Sequence, residues 1–236
     1  MSRRSLLQRL YAGPRDALSG VANPYRDEHP GLDRPGAARL RRRNLEAYLE
    51  AVGRPRWLLL GEAMGYRGAR FSGIAFTSER QLAGPGNVRL AWAEGRARPT
   101  STLPTLWTEP SGTIVWRALD GLPDGVLLWN TFPWHPHLGA APRGDARLTN
   151  RTPAPAELRA HRAVLSALLD WAQPERIAAV GRVAAAGLAE LGIACTPLRH
   201  PARGGATLFT AQVRRELDSA RVRRELASGP PPAGSW

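Results

Sequence analysis

The sequence predicts an α/β fold, a three-layer α/β/α sandwich around a central, mainly parallel four-stranded sheet. Four short apolar runs, each ending in a glycine or a polar residue, are typical of strands covered on both faces. Helical patterns separate most of these runs, and such alternation favours parallel strands with helices on both sides. A chain of 236 residues with 43% hydrophobic content can bury one substantial core.

The helices and strands each follow from a local pattern. Residues 37–52 place apolar side chains at mostly helical spacing with arginines opposite, which predicts an amphipathic helix. The predicted strands are Trp57 to Gly61, Val126 to Asn130, Ile177 to Gly181 and Ala194 to Arg199. The other predicted helices are Gly112 to Leu119, Ala156 to Ala172, Arg182 to Leu191 and Leu208 to Ala227.

The predicted organisation is one domain, residues 36–227, between less regular ends. Residues 1–35 contain several prolines and glycines, so we expect a short helix followed by irregular chain that wraps the surface. The segment SGPPPAGSW, residues 228–236, predicts a disordered tail.

The charge of the chain indicates its class of partner. All 33 basic residues are arginines, against 20 acidic residues, and the formal net charge is +13. Such a surplus favours nucleic acid or another polyanion, through attraction to phosphates and release of counterions. A basic but merely soluble surface is the alternative that composition leaves open.

Cysteine content and hydropathy exclude several classes. Cys195 is the only cysteine, so neither a disulfide within the chain nor a cysteine-based zinc or iron–sulfur site can form. No apolar run reaches the length of a membrane span, and the opening residues do not resemble a secretory leader. We expect a soluble, cytoplasmic, monomeric protein that uses no metal or other cofactor.

Polar residues follow the predicted strands at the edge where parallel sheets bind ligands. The stretch GEAMGYRGARFSGIAF follows the first strand and contains Glu62 and Phe76. Asn130 ends the second strand, and His200 follows the fourth. Together these side chains predict a pocket for a planar, hydrogen-bonding ligand. Taken singly, each has a structural alternative, as a helix cap, a strand end, a turn residue or ordinary core.

These stretches resemble the motifs of the uracil-DNA glycosylase superfamily. GEAMG with the downstream GIAF matches its first motif, LLWNTFPWHPH contains its asparagine, and RHPARGG matches its final His-Pro motif. The resemblance spans about residues 57–213 and implies a bacterial repair enzyme that flips uracil, or a related deaminated base, out of DNA and hydrolyses its N-glycosidic bond. The alternative is a nucleic-acid-binding protein that kept the fold and lost the chemistry.

The resemblance also implies roles for individual residues. Glu62 would stabilise the sugar cation or orient the attacking water, and His200 would hydrogen bond the departing base. Asn130 would read N3 and O4 of uracil, and Phe76 would stack on the base. The substrate-binding residues are Gly61, Ala63, Gly65, Phe76 and Asn130.

DNA binding is expected from the loop after the His-Pro motif. Arg203 would be the wedge that fills the gap behind the flipped base, with Leu208 as an alternative. Gly204 and Gly205 would let the backbone approach phosphate, and His135 and His137 belong to a loop that shapes the pocket and meets DNA. Two alternatives stay open: Arg203 contacts phosphate only, or the histidines at 135, 137 and 200 bind a metal.

The first motif departs from both branches that it resembles. In the thermostable iron–sulfur branch it reads GEAPG, whereas Met64 replaces the proline here and the four cluster cysteines are absent. In the branch with GQDPYH, the catalytic aspartate would fall at Ala63 and the tyrosine that excludes thymine's methyl at Gly65. The chain is closest to a divergent member, and fold alone does not establish its activity.

Overall fold

The computed structural model describes residues 1–14, 20–83, 90, 93–119, 125–141 and 144–227. The helices are α1 (Arg3–Ala12), α2 (Ala37–Val52), α3 (Ala69–Ser72), α4 (Glu79–Ala83), α5 (Pro110–Leu119), α6 (Pro155–Ala172), α7 (Arg182–Ala189) and α8 (Ala206–Ala227), with a 3-10 turn at Ala146–Leu148. The strands are β1 (Val21–Ala22), β2 (Trp57–Ala63), β3 (Val126–Phe132), β4 (His135–Pro136), β5 (Arg176–Val180) and β6 (Thr196–Leu198). The tail predicted for residues 228–236 lies outside the described residues.

The architecture is the predicted three-layer α/β/α sandwich. Four strands form a parallel sheet in the order β3-β2-β5-β6, and helices flank it. The apolar runs lie in the core because both faces of the sheet are covered, and Leu58, Leu59 and Leu60 are fully buried. Within the part of the chain that is described, no helix has both the length and the hydropathy needed to cross a bilayer.

The observed elements differ from the predicted ones mainly at their ends. α2 has the predicted bounds, whereas β2 and β3 each continue two residues further, so that Glu62 lies within a strand. The sequence did not reveal α3 or α4, because four or five residues are too few to show a helical period.

The N-terminal segment belongs to the core. α1 buries Leu6, Leu7 and Leu10, and β1 pairs antiparallel with β4. The indole of Trp134, fully buried, donates a hydrogen bond to the Leu10 carbonyl at 3.1 Å. The stretch that follows β3 is therefore attached to α1.

A buried carboxylate joins three parts of the chain. Arg41 on α2 lies on the core face, although the sequence pattern placed the arginines of this helix opposite it, and its Nη1 donates to Oδ1 of Asp33 at 2.8 Å. Arg70 on α3 donates to both carboxylate oxygens of Asp33, also at 2.8 Å. Burial alone raises the pKa of Asp33, but hydrogen bonds and charge from Arg70 and Arg41 outweigh it and bring the pKa to about 2. Asp33 thus ties the N-terminal segment to α2 and to the loop after β2.

Replacing Asp33 with asparagine should lower the free energy of unfolding by about 3–5 kcal/mol, because two buried guanidinium groups then share no counter-charge. Chemical denaturation followed by tryptophan fluorescence measures the change. Asp170→Asn is the matched control, since Asp170 is exposed on α6, and its effect should stay within about 0.5 kcal/mol. Equal stability of the two variants would show that Asp33 is not an anchor.

Candidate active site

The ends of the parallel strands bring the predicted residues to one rim of the sheet. β2 and β3 pair with Gly61 opposite Asn130, and β2 pairs with β5 up to Leu60 and Ala179. β6, next to β5, leads into His200. With strands about 4.8 Å apart, the outer strands β3 and β6 lie roughly 14 Å from each other, so Asn130 and His200 lie on either side of the ends of β2 and β5.

The floor of the site is Gly61, whose missing side chain lets two groups approach the backbone. A Cβ at this position would lie 2.4 Å from Cζ of Phe76 and 2.6 Å from Oδ1 of Asn130. Either distance is too short for a real contact, so any side chain here would displace the ring or the carboxamide. Gly61, Phe76 and Asn130 are therefore brought together in the structure.

The Asn130 side chain has no partner within the described ranges, although the residue lies almost wholly inside the protein. The residue is 4% exposed, and no group in the described ranges hydrogen bonds its side chain. Most buried side-chain polar atoms in proteins are paired. The amide therefore offers an acceptor and a donor to a ligand that enters beside the Phe76 ring.

Phe76 has a strained backbone. Its φ is +55°, in the left-handed region, which costs a non-glycine residue about 1–3 kcal/mol. Its carbonyl lies against Gly112 of α5, where a Cβ would come within 2.3 Å of the oxygen. This packing holds the ring over Gly61 despite the strain.

Glu62 lies at the same strand end but on the other face. Side chains alternate along a strand, so the Glu62 side chain points away from the face on which the Phe76 ring covers Gly61. The residue is half-buried, and no described group hydrogen bonds its carboxylate or forms an ion pair with it. Ala63, the next residue, pairs with Phe132.

His200 is set up as a hydrogen-bond donor. Its Nδ1 accepts the backbone N–H of Ala202 at 3.1 Å, so the neutral ring carries its proton on Nε2. Burial, followed by the charges of Arg199 and Arg203, lowers the pKa of His200 below its ordinary value. A neutral ring with a free Nε2–H can donate to a carbonyl oxygen or to an anion.

The loop after His200 is open to solvent. Arg203 is exposed with φ +53°, and Gly204 follows with φ +75°. Gly205 is buried, and a Cβ there would lie 2.0 Å from the carbonyl oxygen of His200. Leu208, the alternative wedge, is 54% exposed on the first turn of α8. Both wedge candidates are thus accessible, and their contact with DNA stays a prediction.

The rings of His135 and His137 lie inside the protein. Nε2 of His135 lies 2.8 Å from the Thr149 carbonyl, and Nδ1 of His137 lies 2.8 Å from the Leu138 carbonyl. Burial is the main reason that the pKa of His135 falls to about 3. Among the described residues, no three His, Cys, Asp or Glu side chains form a group that could hold a metal. Burial favours a role in shaping the loop over direct contact with DNA.

Two polar residues beside the loop were not predicted. Asn150 accepts the backbone N–H of Tyr66 at 2.9 Å, and the Glu109 carboxyl group lies against Gly65 and Gly68. Neither residue follows a strand of the sheet, so the strand-end pattern could not reveal them. Glu109 directly precedes α5, and no motif in the sequence marks it as a site residue.

Known proteins resemble this chain in sequence pattern and in fold. The family model of the uracil DNA glycosylase superfamily matches residues 49–212. The crystal structure of wild-type SMUG2 from Pedobacter heparinus is similar with a TM-score of 0.61, covering 97% of this chain and 100% of that chain at 16% identity. At this identity the likeness concerns the fold alone. No curated protein matches the chain.

At pH 7 the His200 ring should be neutral with its proton on Nε2, because Nδ1 accepts a backbone N–H and the pKa lies below 6.5. Long-range proton–nitrogen NMR spectra of the 5 histidines, with His200→Gln to assign the signals, report tautomer and charge. A charged ring at pH 7, or a proton on Nδ1, would contradict this arrangement.

Proposed function

This chain belongs to the uracil-DNA glycosylase superfamily, and from this premise we propose that it hydrolyses the bond between deoxyribose and uracil, or a related deaminated base, in DNA. One observation carries the proposal: the Asn130 carboxamide, which has no partner among the described residues, lies beside the Phe76 ring over Gly61. A base flipped out of the duplex would stack on that ring and present its polar edge to the amide. The activity belongs to DNA repair and would take place at the chromosome in the cytoplasm.

The hydrogen-bonding pattern of the Asn130 carboxamide favours uracil over cytosine as the bound base. Uracil presents N3–H and the O4 carbonyl side by side, which match the acceptor and the donor of a carboxamide. Cytosine presents an acceptor at N3 and a donor at N4, so the same fixed amide meets two mismatches. Stacking on Phe76 contributes about 1–3 kcal/mol for either base, and the amide decides between them.

His200 supports departure of the base. Cleavage leaves the electron pair of the glycosidic bond on the base, and negative charge develops on its carbonyl oxygens. A neutral imidazole with Nε2–H can donate a hydrogen bond to such an oxygen, and the ring itself carries no positive charge. A preorganised donor of this kind stabilises the charge that appears in the transition state.

Glu62 supports stabilisation of the sugar. Positive charge builds on C1′ as the bond breaks, and a nearby carboxylate lowers the energy of that cation. The Glu62 carboxylate, at the end of β2, has no partner in the part of the chain that the structure describes. Since it lies on the face away from the Phe76 ring, we expect it to approach the sugar rather than the base.

The exposed loop after His200 supports insertion into the duplex. Flipping a base leaves a gap that must be filled, at a cost of a few kcal/mol for unstacking. Arg203 is exposed beside the site, and the surplus of arginine favours the phosphate backbone. Arg203 is our first candidate for the wedge, and Leu208 is the second.

The experiment uses labelled single-stranded and double-stranded oligonucleotides that contain uracil, hypoxanthine or a mismatch. Cleavage of the resulting abasic sites by alkali reports excision, and a gel shift reports binding. Excision of uracil supports the proposal. Binding without product from any substrate would overturn it in favour of a DNA-binding protein without glycosylase chemistry.

Replacing Glu62 with glutamine should lower single-turnover excision by about 10²-fold or more, because the amide keeps the shape but loses the charge that faces the sugar cation. Affinity for uracil-containing DNA should stay near that of the parent. Glu175→Gln is the control, since Glu175 is exposed near the opposite end of the sheet and should leave excision unchanged. Parental turnover in Glu62→Gln would remove Glu62 from the mechanism.

Replacing Arg203 with alanine should reduce excision from duplex more than excision from single strands, since only the duplex must be held open. Arg54→Ala removes one exposed arginine just before β2, at the opposite end of the sheet, and should affect both substrates alike. Equal losses on both substrates for Arg203→Ala would reduce this residue to a phosphate contact and make Leu208 the wedge.

A further inference from the structure

Glu109 extends its carboxyl group against the glycine-rich loop that follows β2. A Cβ at Gly68 would lie 2.0 Å from Oε2 of Glu109, and one at Gly65 would lie 3.3 Å from Oε1. A side chain at Gly68 would therefore displace the carboxyl group. These two glycines of the loop after β2 leave room for a carboxyl group that a distant part of the chain supplies.

Packing fixes where this carboxyl group lies. Trp107 stacks on Phe71 with ring centroids 5.3 Å apart and meets Tyr66 edge-on at 5.6 Å. The carbonyl of Glu109 accepts the N–H of Thr113 at 3.0 Å, which sets the first turn of α5. Glu109 is thus fixed by the packed Trp107 ring before it in the chain and by the first turn of α5 after it.

The first turn of α5 also joins Glu109 to the base-binding side chains. Glu109 directly precedes α5, and Gly112 of that helix lies against the carbonyl of Phe76. The short stretch from Glu109 to Gly112 thus touches Gly65 and Gly68 at one end and, at the other, the residue whose ring covers Gly61. Glu109 therefore connects the part of the loop at Gly65 and Gly68 to the helix that packs on Phe76.

The carboxyl group has an unmet hydrogen bond. Its Oε2 is buried without a partner among the described residues, and burial raises the pKa of Glu109 to about 7. A buried acceptor of this kind calls for a bound water, an ion or a catalytic role. The charged groups on neighbouring elements are directed elsewhere: Arg70 pairs with Asp33, Arg151 pairs with Glu157, and Arg67 is exposed.

Resting on the proposed function, we propose that Glu109 is the general base of the hydrolysis, which binds the attacking water and accepts its proton. The loop itself carries no such group, because Ala63 stands where the resemblance would put an aspartate. Glu62, on the other face of β2, is left to stabilise the sugar cation. One carboxylate would then act as the general base and the other would stabilise the cation, much as the two carboxylates of glycoside hydrolases have separate roles.

The step balances as a hydrolysis. The bond between C1′ and the base nitrogen breaks, and the base leaves with the electron pair. The oxygen of water forms a bond to C1′, and one of its protons passes to the Glu109 carboxylate and then to solvent. The departing base anion takes up one proton from solvent, so the products are the abasic sugar and the neutral base.

The test compares the full-length parent with Glu109→Gln in single-turnover excision of uracil at about pH 5 to 9. Only the ionised carboxylate can accept a proton, so the parental rate should rise as the pH increases through about 7 and then level off. Glu109→Gln should be at least about 10²-fold slower at the plateau and should lack this rise. Its DNA affinity should be unchanged and its melting temperature equal or higher, since the amide needs no buried charge. Glu175→Gln is again the control.

Three results would overturn the inference. Glu109→Gln could turn over within about threefold of the parent, or it could be slower and keep the parental pH profile. It could also lose DNA affinity and melt at a lower temperature in parallel with its loss of turnover, which would assign Glu109 to the fold. If the parent protein excises no base from any substrate, the proposed function is overturned and the inference with it. This outcome is distinguishable from the other three because it is seen in the parent and not in Glu109→Gln.

Discussion

The close approach of an aromatic ring and a carboxamide over Gly61 is the constraint on which the rest of the site depends. The parallel pairing of β2 and β3 fixes Asn130 opposite Gly61 in the sheet. Phe76 lies fifteen residues after Gly61 along the chain, and its backbone is strained. A single methyl group at Gly61 would separate the two groups to which we assign recognition of the base.

The loop that carries Phe76 is fixed by buried ion pairs as well as by packing. Asp33 pairs with Arg70 inside the loop and with Arg41 on α2, and all three side chains are buried. Burying two arginines with one carboxylate costs desolvation energy that only good geometry offsets. The N-terminal segment has no regular sequence pattern, but through Asp33 it helps to fix the loop that carries Phe76. Unpaired polar groups at Asn130 and Glu109 are a further cost, and such costs are commonly tolerated where a ligand will later satisfy them.

The sheet and the positions of Asn130 and His200 could be predicted because they follow from local signals. A strand covered on both faces is a continuous apolar run, and the residue that ends it lies at the ligand-binding rim whatever the rest of the chain does. The burial of Arg41 could not be predicted, because its counter-charge comes from Asp33 in a segment without regular pattern. The approach of Glu109 to Gly68 is likewise a long-range contact. The WHPH stretch is predicted to shape the pocket and to meet DNA, yet His135 and His137 are buried, and Trp134 of the same stretch is bonded to α1.

A crystal structure with DNA that carries 2′-fluoro-2′-deoxyuridine would show how the flipped base is bound, because the fluorine destabilises the sugar cation and keeps the base attached. We expect the uracil to leave the helix, stack on Phe76 and place N3 and O4 within hydrogen-bond distance of the Asn130 carboxamide. A uracil that stays stacked in the duplex, or a flipped base bound away from Gly61, would contradict it.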